Sequence, residues 1–307
     1  MILCADIGGT SVKLGLVDRE GRLHASAEAS VSFDHYHTPI IDTVLREGRA
    51  FLEAHPCQIE GIGVSATGQV DSRAGAVIGT NGKIANYEGT NIKQRMEEAF
   101  CVPCEVLNDA NAALLGETFC GGAVGAQNVV MLTLGTGVGG GVLADGRLLT
   151  GHRGIAGEMG HFTLYQDGVP CPCGKKGCYE SYASTTALLR AAEKAAGEAN
   201  LNGRVLFDRL KNGDPVLQNV LDKWLDDVAA GITGLIHIFN PELVLIGGGV
   251  SRQEELLLKP LKARVLRGAM PRFTEALRIE RAVLGNDAGL IGAAKFYLDL
   301  HHNPERM

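Results

Sequence analysis

The chain has few aromatic residues, no excess of positive charge and no long apolar run, and each shortage excludes a class of protein. Aromatic side chains make up only 5% of the 307 residues, with a single tryptophan. The formal net charge of −6 argues against nucleic acid as a main partner, because proteins that bind it present a basic surface. No apolar stretch approaches the roughly 20 residues that a membrane-spanning helix needs. We therefore expect no nucleic-acid partner and no membrane.

The amino-terminal segment also lacks the charged-then-apolar layout of a secretory signal and begins with a strand-like stretch, ILCADIG. A reducing, cytoplasmic location is expected, in which the eight cysteines stay free or bind metal. Glycine is abundant, with 41 residues, as is typical of enzymes with many tight turns. A chain of this length is longer than one hydrophobic core usually supports, so two domains are expected.

Three of the eight cysteines lie close together between Glu158 and Glu180, in the segment EMGHFTLYQDGVPCPCGKKGCYE. One imidazole and three thiols are a set that closes a tetrahedral structural zinc site. Disulfides are disfavoured because the other five cysteines are scattered. A metal here would bring Glu158 and Glu180 together as a clamp for a polar ligand. The C-x-x-C pair of Cys101 and Cys104 is better interpreted as buried or incidental thiols. The predicted zinc ligands are His161, Cys171, Cys173 and Cys178.

The chain repeats a strand–glycine turn–strand pattern. The first copy is ILCADI-GGTS-VKLGLVD, and the second starts at NVVMLTLG and continues through GTGVGGG. Alternating strands and helices follow each copy, which predicts two similar α/β domains joined by a hinge. The predicted domains are a small one, residues 1–108 plus 289–307, and a large one, residues 109–288, which carries the zinc loop. Helical spacing predicts helices over residues 39–55, 93–100, 111–119, 180–196, 204–211, 214–239, 254–267 and 289–300.

Three glycine-rich turns follow predicted strands, at residues 6–10, 134–141 and 247–250. Glycine lets the backbone approach a ligand closely and point its amides at anions. None of the turns has P-loop spacing, and the second precedes a strand rather than a helix, which disfavours a Rossmann dinucleotide site. Asp6, Thr10 and Lys13 add an acid, a hydroxyl and a base to the first turn. This trio suits a magnesium–phosphate site in which the acid acts through metal-bound water.

Asn108 and Asp109 end an apolar strand just before a predicted helix. Aspartate is a good helix cap, which is one interpretation of Asp109. The other is a catalytic carboxylate at the carboxyl end of a strand, where α/β sites usually form. The local sequence leaves both open.

Taken together, these motifs resemble the ROK sugar kinases, within the superfamily that shares the actin/hexokinase ATPase fold. DIGGTSVKLGLVD resembles the first phosphate loop, LGTGVGGGVLADGRLLTGHRGIAGEMGH the family signature, and CPCGKKGCYE the zinc loop. LIGGGV resembles the adenosine motif, and NDAGLIGAA the start of the carboxy-terminal helix. The resemblance covers essentially the whole chain. It implies two actin-like ATPase (ribonuclease H-like) domains flanking a cleft.

The resemblance also implies the activity of an ATP-dependent kinase that phosphorylates the 6-hydroxyl of a hexose, either glucose or a glucose-containing β-glucoside. Asp109 matches the general base. One ring nitrogen of His161 would bind the structural zinc while the other faces the sugar. A homodimer is implied as well. The implied sugar-binding residues are Asn86, Asn108, Asp109, Glu158, His161 and Glu180. Those implied for Mg-ATP are Asp6, Gly8, Gly9, Thr10, Lys13, Gly135, Thr136 and Gly137, with Gly248 and Gly249 near adenosine.

The sugar itself stays open. The segment Asn86–Asn91 reads NYEGTN and lacks the tryptophan of the Asn-Leu-x-x-Trp stretch in glucokinase-like members. It is similar to β-glucoside kinase-type members, and N-acetylmannosamine or another hexose is an alternative substrate. Residues 65–69 would also touch substrate. A sugar-responsive regulator is disfavoured because the first phosphate loop begins by residue 6, ahead of which a helix-turn-helix domain would lie. An inactive sugar-binding protein is disfavoured by the retained Asp109.

Overall fold

The computed structural model describes residues 1–80 and 84–302. The last five residues of the predicted small domain, 303–307, therefore lie outside the described part. The strands form two five-stranded sheets and one short hairpin. They are β1 (Ile2–Ile7), β2 (Ser11–Val17), β3 (Leu23–Ser30), β4 (Gly61–Ala66), β5 (Gln69–Asp71), β6 (Ala76–Gly79), β7 (Cys104–Asn108), β8 (Val129–Leu134), β9 (Val138–Ala144), β10 (Arg147–Leu148), β11 (Leu243–Gly247) and β12 (Arg278–Arg281).

Six of the eight predicted helices are present as single α-helices, and the two over residues 180–196 and 254–267 are divided. None of those in the described part is both long and apolar enough to cross a lipid bilayer. The helices are α1 (Ile40–Ala54), α2 (Ile92–Phe100), α3 (Asp109–Cys120), α4 (Glu180–Ala183), α5 (Thr185–Ala196), α6 (Gly203–Lys211), α7 (Pro215–Phe239), α8 (Lys259–Gly268), α9 (Pro271–Thr274) and α10 (Ala288–His302).

Two compact units make up the chain. The first comprises Met1–Gly125, Gly146–Gly157 and the described residues from Asn286 onward, and the second comprises Ala126–Asp145 and Glu158–Gly285. Helix α3, which the sequence analysis assigned to the large domain, lies in the first unit. The reason is its close packing on α10: a Cβ added to Gly292 would lie 1.7 Å from the Ala112 carbonyl oxygen. Such backbone contact between helices requires glycine.

The sheet of the first unit has the order β3-β2-β1-β4-β7. Strand β1 pairs antiparallel with β2 and parallel with β4, and β4 pairs parallel with β7. The register places Asp6 opposite Ser65 and Ala66 opposite Asn108. The carboxyl ends of β1, β4 and β7 therefore carry the polar residues, as is usual for sites on α/β sheets.

The sheet of the second unit has the same arrangement, with the order β10-β9-β8-β11-β12. Strand β8 pairs antiparallel with β9 and parallel with β11, which pairs parallel with β12. The fold is thus mixed α/β, as predicted, and the repeat recognised in the sequence corresponds to two sheets of equal strand order. Helix α7 packs its apolar face on this sheet within one large core.

Polar caps fix the limits of several helices. Asp214 accepts hydrogen bonds from two amides at the start of α7, where Pro215 follows in the first turn. The predicted helix over residues 180–196 is instead two helices, because Ser184 is extended and caps α5 through the Ala187 amide. The predicted helix over residues 254–267 is also divided. A π-helical turn precedes α8, which has Pro260 in its first turn and so lacks an amide donor there.

Candidate active site

The Asp6 carboxylate lies near the end of β1 and is partly buried. The Ser65 hydroxyl donates a 2.6 Å hydrogen bond to Asp6 Oδ1. Burial raises the pKa of Asp6, and the Ser65 bond and the Lys13 charge only partly oppose it. Gly289 closes the other side, since a Cβ added there would lie 2.7 Å from Asp6 Cγ. Asp6 is therefore held between strand β4 and the first turn of α10.

The residues predicted to bind phosphate around the first glycine turn differ in the contacts that they make. The Gly8 amide donates to the Ser11 carbonyl oxygen at 2.9 Å, which closes the turn. The Gly9 carbonyl accepts a 2.7 Å hydrogen bond from the Tyr36 hydroxyl, and Thr10 is exposed. Lys13, in contrast, forms an ion pair with Asp287 and also donates to the Asn286 carbonyl. In this structure its ammonium is held by the segment that precedes α10.

Asn108, rather than Asp109, caps helix α3. The Asn108 Oδ1 accepts from the Ala110 and Asn111 amides at 3.0 and 3.3 Å, and its Nδ2 donates to the Gly68 carbonyl at 2.9 Å. Asp109 is the first residue of the helix, and its Oδ1 accepts from the Ala110 amide at 2.8 Å. The capping interpretation of Asp109 is therefore wrong, and its carboxylate lies at the positive end of the helix.

The Asn86 segment lies in the turn between β6 and α2. Asn86 has a left-handed backbone, with a φ of 57°, and its exposed amide donates to the Tyr36 carbonyl at 3.4 Å. The next residue, Tyr87, is 1% exposed, and its hydroxyl has no hydrogen-bond partner in the described part of the chain. Burial raises the pKa of Tyr87, and the charges of Asp109 and Asp6 raise it further. Tyr36 and Tyr87 were not predicted as site residues, because no sequence motif marks either of them.

In the second unit, the four predicted zinc ligands converge. One ligand atom from each lies within 4.8 Å of every other. The Cys171 Sγ is 3.7 Å from His161 Nδ1, and the Cys173 and Cys178 sulfurs are 3.5 Å apart. Around zinc with bonds of about 2.3 Å, tetrahedral geometry separates two sulfurs by about 3.8 Å. The donor set and its spacing therefore fit zinc.

The loop that carries these ligands is also anchored without metal. Gly177 has a φ of 76°, and a Cβ added there would lie 1.7 Å from the Tyr165 carbonyl oxygen. Tyr179 is fully buried, stacks on Phe162 and donates from its hydroxyl to the Val228 carbonyl in α7 at 2.8 Å. These contacts place Glu180 at the start of α4.

Glu158, His161 and Glu180 form a polar cluster beside the three cysteines of the predicted zinc site. His161 Nδ1 faces Cys171, while its Nε2 lies 3.9 Å from Glu158 Oε2. Burial raises the pKa of Glu158; the charge of His161 opposes this shift, and the charge of Glu180 adds to it. The Val138 amide, at the end of the second glycine turn, donates to Glu180 Oε2 at 2.9 Å. These three residues are therefore brought together, as predicted.

Gly137 leaves room for the Glu180 carboxylate, because a Cβ there would lie 2.4 Å from Glu180 Oε2. We expect Gly137→Ala to displace the Glu180 carboxylate and weaken sugar binding about tenfold, the cost of one charged hydrogen bond. Calorimetric titration with glucose in the absence of nucleotide measures this effect. Gly135→Ala is the matched control, since a Cβ at Gly135 meets no atom within 4 Å. Equal affinities in the two variants would contradict the assignment of Glu180.

A separate cavity of about 550 Å³ lies at the carboxyl ends of β8 and β11. Of the residues predicted for the nucleotide, Gly135, Thr136 and Gly249 line it. Gly248 has a φ of 90° and packs on the Leu134 carbonyl behind them. The remainder of the lining was not predicted, because helices α5 and α6 carry no nucleotide motif. That remainder includes Thr185, Thr186, Arg204, Phe207, Asp208, Lys211 and Gln253.

Comparison with known proteins adds independent evidence. A family model described as the ROK family matches residues 2–299. The glucokinase of Thermotoga maritima is 32% identical, over 95% of this chain and 96% of that protein. The β-glucoside kinase of Klebsiella pneumoniae is 33% identical, over 99% of this chain and 98% of that protein. A crystal structure of a ROK family glucokinase from Streptomyces griseus, in complex with glucose and AMPPNP, is 31% identical with a TM-score of 0.83, covering 96% of this chain and 98% of that one.

Proposed function

Because this chain belongs to the ROK family and is an ATP-dependent sugar kinase, we propose that it phosphorylates the 6-hydroxyl of glucose or of a glucose-containing β-glucoside. The observation that carries this proposal is the cluster of Glu158, His161 and Glu180 beside the zinc ligands. Two carboxylates and an imidazole nitrogen are groups that hydrogen-bond sugar hydroxyls. A sugar-responsive regulator is less supported than a kinase.

Asp109 would act as the general base. Its carboxylate takes the proton of the 6-hydroxyl as that oxygen bonds to the γ-phosphorus and the bond from the γ-phosphorus to ADP breaks. Such positioned proton transfer contributes about 10²–10⁴-fold to the rate. Most of the remaining acceleration comes from placing the phosphates and neutralising their charge.

The proposed cofactors are ATP with magnesium and a structural zinc. Asp6 would hold the magnesium through water, and its position beside the first glycine turn suits that role. Magnesium supplies neutralisation of phosphate charge. His161 and the three cysteines would fill all four zinc positions, so this metal has no open position and serves as a scaffold. Lys13 would reach the phosphates only after leaving Asp287.

Three further proposals concern the domains, the assembly and the compartment. The units would be actin-like domains flanking a cleft, and the protein would be a homodimer. A reducing, cytoplasmic compartment is supported by the cysteines, since all eight are unpaired.

A panel of sugars in a coupled ATP-consumption assay tests the substrate. Glucose, a β-glucoside such as cellobiose, mannose and N-acetylmannosamine should be compared at equal concentration, with and without ATP. We expect the highest kcat/KM for glucose or the β-glucoside, because Asn86–Asn91 is similar to the segment of β-glucoside kinase-type members. A higher value for N-acetylmannosamine would instead establish the alternative substrate. Turnover of none of these sugars would overturn the proposed substrate class.

A further inference from the structure

We propose that Ser65 is a positioning residue for phosphoryl transfer, which fixes the Asp6 carboxylate through one oxygen and leaves the other for the magnesium of the nucleotide. The inference rests on the proposed function and assigns a role to a strand residue that no motif marks. Ser65 is expected to act only through Asp6. It is 0% exposed, so its hydroxyl cannot reach a substrate.

The strand register creates the contact. Asp6 on β1 and Ser65 on β4 are direct neighbours in the parallel pair, one residue before each strand ends. The Ser65 hydroxyl donates to Asp6 Oδ1 at 2.6 Å, the short distance typical of a bond to a charged acceptor. Ser65, the first of the residues 65–69 that were expected to touch substrate, thus faces the acid of the first glycine turn.

The opposite side of the carboxylate is closed by α10. Gly289 lies against Asp6, and an added Cβ there would be 2.8 Å from each carboxylate oxygen. The carboxylate is thereby confined between a strand and a helix. Within the described part of the chain, Oδ2 accepts no hydrogen bond, and Asp6 is only partly buried. Because Ser65 occupies Oδ1, Oδ2 is the oxygen left to accept a hydrogen bond from a water bound to magnesium.

Magnesium makes this orientation important. The ion accepts only near-ideal octahedral geometry and keeps several of its waters, so an acid that binds it through water must present an oxygen in a fixed position. Without the Ser65 hydroxyl, Asp6 Oδ1 would lose its hydrogen-bond donor. The carboxylate could then rotate, and Oδ2 would no longer be held in one position.

The test is the gain in ADP affinity that magnesium produces, measured by calorimetry with and without the ion. For Ser65→Ala we expect this gain to fall about tenfold, the equivalent of one hydrogen bond to a charged group, with ADP affinity in the absence of magnesium unchanged. Gly289→Ala should reduce the same gain, since its Cβ presses on the same carboxylate from α10. Glucose affinity without nucleotide should stay at the wild-type value in both variants.

Thr43→Val is the matched control. Thr43 is also a fully buried hydroxyl of the first unit, but it has no hydrogen-bond partner in the described part of the chain. Its removal should leave the magnesium gain unchanged. An undiminished gain in folded Ser65→Ala would overturn the inference, and so would an equal loss of ADP affinity with and without magnesium. If wild-type protein shows no magnesium gain at all, the proposed nucleotide site itself fails.

Discussion

Asp109→Asn is expected to lower kcat by about 10²–10⁴-fold, while the protein stays folded and still binds sugar. The amide oxygen of asparagine can still accept the Ala110 amide, as Asp109 Oδ1 does at 2.8 Å. What is lost is the ability to take a proton, because an amide is not a base near neutral pH. Single-turnover kinetics with glucose and ATP, together with calorimetric sugar binding, measure the two properties separately.

Asn108→Ala gives the complementary result. It removes the cap of α3, at a cost of about 1 kcal/mol in the free energy of unfolding. Its acceptor contacts to Ala110 and Asn111 are structural, so the loss should appear first in stability. Near-normal turnover in Asp109→Asn would remove Asp109 from the role of base. A marked loss of stability in that variant would assign it to the fold instead.

Cys171→Ala is expected to release the zinc, lower the melting temperature by roughly 5–10 °C and weaken sugar binding. The Cys171 sulfur lies 3.7 Å from His161 Nδ1, so losing this ligand frees the ring that faces Glu158. Folding should survive, because Tyr179 anchors the loop to α7 independently of the metal. Elemental analysis, thermal unfolding and glucose titration measure the three effects.

The control for this variant is Cys57→Ala, which removes an exposed thiol outside the cluster. It should keep zinc, stability and affinity at wild-type values. Wild-type protein purified with less than about a tenth of an equivalent of zinc would contradict a closed four-ligand site. Full zinc retention in Cys171→Ala would place the metal elsewhere.

The zinc set was predictable from sequence because its ligands are close in the chain and chemically specific. The partner of Lys13 was not, since Asp287 is 274 residues away and the pairing depends on where α10 packs. The role of Ser65 was also hidden, because only the register of β1 against β4 brings it to Asp6. Sequence reasoning sees residue type and spacing, whereas these contacts arise from tertiary packing.

The secondary structure likewise divides into elements that the local sequence predicts and elements that it does not. Long amphipathic helices such as α1 and α7 were predicted within a residue or two of their limits, since their apolar spacing is regular. The short strands β5 and β6 were missed, because so few residues give no alternation to detect. The break at Ser184 was missed as well, because serine also occurs inside helices. Only the structure shows that the Ser184 side chain caps helix α5.

The equal strand order of the two sheets indicates a common evolutionary origin. In the second sheet the register pairs Thr133 with Gly247, at the positions where the first sheet pairs Asp6 with Ser65. This correspondence is the pattern expected of an ancestral gene duplication followed by specialisation. One copy carries the acid and its hydroxyl donor. The other has an uncharged residue and a glycine at those positions, so this strand pair places no carboxylate at the start of the second glycine turn.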